Sequence, residues 1–283
     1  MNFSYYPGCT LHSTGVEFGA SARAVLDALG VELKELDDWN CCGATSGHSM
    51  GHELGVLLAG RNLLIAQQTG MELLVPCVAC YSRLRHAQHA LSENLDWQKK
   101  LGSTVGIAWK GGAVVESALS IVANKIPAEE ITQRVKRQLK GLKVVPYYGC
   151  LLARPRTLTD APNPDYPMDL DQLLVKLGAE VMEWSYKTDC CGASLSLTRS
   201  EQVVRLVGKL VDKAVEAGAD CIATACPMCQ ANLEMRQGNR QMPVFYFTEL
   251  MGLAFGLNEA GKWWSKHIID PRPLLRRIES AAV

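Results

Sequence analysis

The sequence has no excess of charge of either sign: its 29 Lys and Arg are matched by 29 Asp and Glu. A nucleic-acid binder neutralises phosphates with a clustered basic surplus, so the balance argues against that class. No run of about 18 apolar residues is present, and no membrane-spanning helix is expected. The segment from Met1 to Cys9 lacks the charged and apolar regions of a signal peptide. No G-x-G-x-x-G follows a strand-like run, which argues against a dinucleotide or flavin site. What remains is a soluble globular composition, 48% hydrophobic and 20% charged, in 283 residues. That length suits one large domain or two modest ones.

Cysteine is the exception to this ordinary composition, with 11 residues. A large chain without secretory features is expected to be cytoplasmic. There, clustered cysteines ligate metal or do redox chemistry more often than they form disulfides. Ten of the 11 fall into two matched sets. Cys9, Cys41, Cys42, Cys77 and Cys80 follow C-x31-CC-x34-C-x2-C, and Cys150, Cys190, Cys191, Cys226 and Cys229 follow C-x39-CC-x34-C-x2-C. Gly-Ala follows both double cysteines (Gly43-Ala44 and Gly192-Ala193), Tyr-rich runs precede Cys9 and Cys150, and Leu29-Gly30-Val31-Glu32 is echoed by Leu177-Gly178-Ala179-Glu180. Self-similarity on this scale means two structural copies, divided here into residues 1–142 and 143–283.

Short β-prone runs precede the first and last cysteines of each set, and an amphipathic helix separates the double cysteine from the final pair. In the second copy that helix carries Val203, Leu206, Val207, Leu210, Val211, Ala214 and Val215 at helical spacing. Thr198 with Glu201 reads as its capping box and Gly218 as its stop. The matching helix of the first copy runs from about Glu53 to Gln68 and stops at Gly70. Alternating strands and helices predict an α/β fold of two pseudo-symmetric repeats, each a mostly parallel sheet with flanking helices.

Thiolates select zinc, copper(I) or iron–sulfur clusters. Adjacent side chains such as Cys41 and Cys42 diverge, which suits a multi-iron cluster better than one zinc. Amides at Gly43 and Gly192 would offset thiolate charge. A structural zinc in one or both halves is the main alternative, and buried structural thiols the weakest. Spacing alone assigns the fifth thiolate of each set no role.

These motifs, with Pro76-Cys77-Val78-Ala79-Cys80 and Cys226-Pro227-Met228-Cys229, resemble the CCG or cysteine-rich domain. Two complete copies with nothing appended resemble the B subunit of heterodisulfide reductase. The resemblance implies two noncubane [4Fe-4S] clusters. Cys9, Cys41, Cys42, Cys77 and Cys80 would hold one, and Cys150, Cys190, Cys191, Cys226 and Cys229 the other; one cluster plus zinc is the alternative. It also implies a small disulfide or thiol substrate between the clusters, a flavin-containing A subunit and a ferredoxin-like C subunit. The second reading is an electron-transfer subunit of a glycolate-, lactate- or fumarate-type oxidoreductase without disulfide chemistry. Ferredoxin-like C-x2-C-x2-C motifs, frequent in such chains, are missing here.

Outside the two sets, His48 and His52 are spaced to share a helix face and to protonate a departing thiolate, although surface or core placement is the plainer expectation. Arg154 and Arg156 lie in a Pro-rich loop after Cys150, where a guanidinium suits an anionic tail on a thiol substrate, with a solvated loop charge as at least an equal expectation. Cys221 reads as core packing. Arg134, Lys136, Arg137, Lys140 and Lys143 read first as a solvated helix face. Trp263-Trp264 reads as core closure or a docking patch.

Overall fold

The computed structural model describes residues 1–159 and 161–281. Its first half runs β1 (Asn2–Tyr5), α1 (Val16–Ala28), β2 (Glu32–Glu35), α2 (His52–Thr69), β3 (Leu73–Val75), α3 (Val78–Glu93) and β4 (Val115–Ser117). The second runs β5 (Lys143–Tyr147), α4 (Asp169–Lys176), β6 (Glu180–Val181), α5 (Ser200–Glu216), β7 (Cys221–Thr224), α6 (Pro227–Arg236), β8 (Val244–Tyr246) and α7 (Phe247–Ala254). Each half builds a four-stranded sheet, in the orders β2-β1-β3-β4 and β6-β5-β7-β8. Every pairing is parallel, with Asn2 opposite Glu32 and Lys143 opposite Glu180 at the matched edges.

Parallel sheets need cover on both faces, so their central strands read as continuous apolar runs. Leu73-Leu74-Val75 and Cys221-Ile222-Ala223 are such runs, and all six residues are fully buried. Helices supply the cover through one apolar stripe each. On α5 that stripe is Val203, Val207, Leu210, Val211 and Ala214. Burying a Val or Leu there stabilises by about 1.5–3 kcal/mol. Gly70, at φ 67°, lets α2 end and turn towards β3. The left-handed conformation it adopts costs other residues a Cβ clash.

The expected capping box at Thr198 and Glu201 does not form. Helix α5 starts at Ser200 without a side-chain cap. The amides of Thr198 and Arg199 are both folded back onto the Leu195 carbonyl, which draws Thr198 into the preceding turn. The basic stretch is likewise not one helix face. Its helix covers only Ala128–Arg134, and the amides of Lys136 and Arg137 both bond the Ala254 carbonyl instead. Trp263 and Trp264 are buried, and a Cβ at Gly252 would come within 2.5 Å of the Trp263 ring. The pair closes the core and is no docking patch. One continuous core joins the halves, with α1 packed on α7.

Candidate metal centre

Both cysteine sets sit at the C-terminal ends of their strands. In the order β2-β1-β3 the chain leaves β1 to one side and returns on the other. This opens a crevice beyond the strand ends, where α/β proteins bind ligands. Cys9 starts a helical turn after β1 (Cys9–His12), Cys41 and Cys42 lie in the loop after β2, and Cys77 caps α3 with Cys80 in its first turn. The second half repeats the plan: Cys150 starts the turn Cys150–Ala153, Cys190 and Cys191 follow β6, and Cys226 caps α6 with Cys229 in its first turn.

The thiols of the first set form one chain of neighbours, and those of the second form two groups, Cys150 with Cys190 and Cys191 with Cys226 and Cys229. In the first, Cys9 Sγ lies 3.8 Å from Cys41 Sγ and Cys42 Sγ lies 3.3 Å from Cys80 Sγ; Cys41 also neighbours Cys42, and Cys77 neighbours Cys80. In the second, Cys191 Sγ lies 3.5 Å from Cys229 Sγ, Cys150 neighbours Cys190, and Cys226 neighbours Cys229. Apart from the first cysteines, Cys9 being exposed and Cys150 half-buried, exposure is graded the same way in both halves. The final pair and the second member of the double cysteine are buried, while Cys41 and Cys190 are exposed.

Three local devices, repeated in both halves, hold these positions. Gly8 and Gly149 precede the first cysteines at φ 69° and 67°. A Cβ on them would stand 2.9 Å from Cys80 Sγ and 3.0 Å from Cys229 Sγ, so only glycine leaves room for the sulfurs. The Tyr6 hydroxyl donates to the Asn40 carbonyl at 2.8 Å, and the Tyr147 hydroxyl to the Asp189 carbonyl at 2.7 Å. Each clasps the end of the central strand to the residue before the double cysteine. Burial, reinforced by the nearby cysteines, holds both phenols above their ordinary pKa, so they remain donors. Finally, the amides of Gly43 and Gly192 point at Cys41 Sγ (3.5 Å) and Cys190 Sγ (3.3 Å). The N-termini of α3 and α6 add partial positive charge beside the final pairs.

The sulfurs divide their protons unevenly. Thiol bonds from Cys41 and Cys80 push Cys42 down to about 3 despite its burial. A bond from Cys150 pushes Cys190 down to about 6. Cys80 and Cys229 are pushed up, by bonds to Cys42 and Cys191 first and by burial after. Such a set releases protons as metal binds. Among the described residues, no three His, Cys, Asp or Glu side chains gather as a site for one metal ion. The donor set is all thiol, beside the room that Gly8 and Gly149 leave for Cys80 Sγ and Cys229 Sγ. That fits a multi-iron cluster, which takes each thiolate at a different position.

The two sets lie across a contact between the halves. A Cβ at Gly15, just past the Cys9 turn, would come 3.1 Å from Pro227, which follows Cys226. In the other direction, α3 packs on the segments from Cys150 to Thr159; the Tyr81 hydroxyl donates to the Thr159 carbonyl at 3.3 Å, and Arg85 Nε to the Leu158 carbonyl at 2.7 Å.

The remaining candidates scatter. Cys221 is buried in β7, its Sγ 3.9 Å from the Lys143 carbonyl, and burial raises its thiol pKa. His48 and His52 do not share a helix: His48 lies in the short helix Gly47–Met50 and His52 begins α2, with Gly51 extended between them. Both nevertheless line one cavity of about 230 Å³, with Gly55, Val56, Arg83 and His86. The Arg154 guanidinium is held by Asp165 at 2.8 Å and by Thr188 Oγ1 at 3.1 Å, and Arg156 is exposed. Sequence reasoning missed the tyrosine clasps, the two glycines, Arg83 and His86. The repeated tyrosine three residues before Cys9 and Cys150, and the glycine directly before each, carried the signal for the first two.

Two repeated α/β units, each presenting five cysteines at its strand ends, define the class. The chain belongs to the cysteine-rich (CCG) domain family, whose model matches residues 3–85 and 144–234. It is 27% identical over 281 residues to the 8-methylmenaquinol:fumarate reductase membrane anchor subunit of Wolinella succinogenes, covering 96% of this chain and 98% of that one. It is 26% identical to the B subunit of the Ferredoxin/F(420)H(2)-dependent CoB-CoM heterodisulfide reductase of Methanosarcina acetivorans (90% and 89% covered). It is also 26% identical to a protein of Archaeoglobus profundus described as like the B subunit of heterodisulfide reductase (91% and 92%). A solved hypothetical protein from Helicobacter pylori superposes with TM-score 0.72 at 12% identity over 95% of this chain. The match spans about half, 52%, of that chain and speaks to fold alone. No helix among the described residues is long and apolar enough to cross a membrane.

Proposed function

We propose that the chain is the catalytic iron–sulfur subunit of a heterodisulfide-reductase-type complex, acting on a disulfide or thiol pair. Cys9, Cys41, Cys42, Cys77 and Cys80 would hold one noncubane [4Fe-4S] cluster, and Cys150, Cys190, Cys191, Cys226 and Cys229 a second. The observation that carries this reading is the pair of matched five-thiol sets across one contact between the halves, which suits a substrate with two equivalent sulfurs. When bound, such clusters supply single electrons and iron positions open to sulfur. The chain's own part is to seat the thiolates and to offset their charge with the Gly43 and Gly192 amides. His48 and His52 are candidate proton donors on the first side. Electrons would arrive through a ferredoxin-like and a flavin-containing partner, and the setting would be cytoplasmic.

The test is reduction of small disulfides by the anaerobically purified chain with a reduced viologen dye. The reading expects turnover that vanishes in both Cys42→Ser and Cys191→Ser. The likeness to the fumarate reductase subunit over 98% of its length favours a second reading, an electron-transfer subunit without disulfide chemistry. Clusters that take up electrons while no disulfide turns over would select it.

A further inference from the structure

Among the described residues, the cavity beside the first cysteine set is lined by no acid but by three imidazoles and a guanidinium. Arg83 and His86 are one turn apart on α3 and so present to one side. Arg83 is half-buried, and among the described residues neither an ion pair nor a hydrogen bond engages its guanidinium. An unpartnered half-buried guanidinium is costly to keep, since its five donors need acceptors. His86 stands edge-on to His52 at 5.4 Å, and Trp97 backs His52 from another side at 5.4 Å. His48 turns its Nδ1 to the Gly43 carbonyl at 3.3 Å, fixing the third ring against the CCG loop. The nearest acid in sequence, Glu53, is turned to Lys100 at 2.6 Å. Gly55 keeps the pocket together: a Cβ there would meet His48 Cα at 3.0 Å. The uncapped N-terminus of the 18-residue α2, which begins at His52, adds its partial positive charge.

We infer that this cavity binds a small oxyanion, a carboxylate or phosphate-type group, with Arg83 as the fork and His48, His52 and His86 as flanking donors. A planar guanidinium holds such groups bidentately. At about 230 Å³ the space admits an anionic headgroup of a few heavy atoms. The site is one-sided: the matched positions of the second half are Leu197, Glu201, Asn232 and Met235, of which Leu197 and Met235 are exposed. His48, which lines the cavity, bonds the carbonyl of Gly43 next to Cys42, so an anion here sits beside the first set and not the second. If the proposed disulfide activity holds, the anion is the charged end of the thiol or disulfide substrate; otherwise it is a free anion.

Calorimetric titration of the full chain with inorganic phosphate tests the site without any turnover. Saturable binding, weakened at least tenfold in Arg83→Gln and partly kept in Arg83→Lys, is the expected result. His86→Gln is the second variant should Arg83→Gln fold poorly, and it is expected to weaken binding by a smaller factor. Dithiodiglycolic acid displacing phosphate, with bis(hydroxyethyl) disulfide failing to, assigns the anion to the substrate; failure of both to displace it assigns a free anion. Absence of saturable phosphate binding, or binding indifferent to Arg83→Gln and His86→Gln, overturns the inference. Phosphate binding in a chain that reduces no disulfide would retain the site and remove the functional reading, so the two fail separately.

Discussion

Around the sulfurs the two halves are near copies, whereas one turn further along the same helices they diverge. Tyr6 and Tyr147 make the same clasp, and Gly8 and Gly149 leave the same gap. Beyond that, Tyr81 and Arg85 of α3 reach across to carbonyls of the second half. At the matched positions of α6, Gln230 accepts from Tyr246 and Glu234 turns to a buried His267, which Glu249 grips from the other side; both carboxylates stand 2.9 Å from the ring. The first half has an imidazole-lined cavity where the second exposes Leu197 and Met235. The positions of the thiols follow from the strand ends and the helix N-termini, which the repeat preserves. The surroundings are free to specialise, one side towards charge and the other towards an apolar surface.

The largest effects test the shared part. Cys42→Ser and Cys191→Ser are each expected to remove roughly half the iron while leaving the other half loaded, measured as iron per chain. A variant that loses all of its iron would mean the halves are not independent sites.

The buried His267 pair of contacts belongs to the second half alone. His267→Ala strands Glu234 and Glu249 without their cation and is expected to cost about 3–5 kcal/mol in chemical denaturation. Its carboxylate partners outweigh its burial and raise the His267 pKa to about 10. A raised histidine pKa stabilises fully below the unfolded value near 6.5. That contribution is then expected to fade as pH rises to about 10. A wild-type stability that stays flat through that window would contradict the charged-histidine assignment.

Smaller effects should again be symmetric. Gly8→Ala and Gly149→Ala each force a residue at positive φ and extended ψ to carry a Cβ, at about 1–3 kcal/mol, and set it against a cysteine sulfur. Both are expected to lower iron retention in their own half. Tyr6→Phe and Tyr147→Phe remove one hydrogen bond each, about 1 kcal/mol. A large inequality between the two would show that the clasps differ in weight. Leu197→Ser, at a side chain 96% exposed, is expected to change stability by no more than about 0.5 kcal/mol.

The gathering of each cysteine set at one sheet end and the repeated α/β plan were legible because cysteine type and spacing are local facts. The span of α2 was legible too, since Gly70 is a local stop. The Thr198 and Glu201 cap was misread because a turn back onto Leu195 competes for the same backbone. Helicity was overextended through Lys136 and Arg137 because their amides find the Ala254 carbonyl, more than a hundred residues away in sequence. Arg83 and His86 escaped notice for a similar reason. Nothing on α3 itself says that His48 and His52, from another element, will complete a cavity with them. Arg154 looked available only while Asp165 and Thr188 were unplaced.

The most direct test is to purify the chain without oxygen and measure iron, acid-labile sulfide and zinc. Two four-iron clusters require about eight irons and about eight sulfides per chain with no stoichiometric zinc. About four irons with one zinc, or zinc alone, would contradict the two-cluster account.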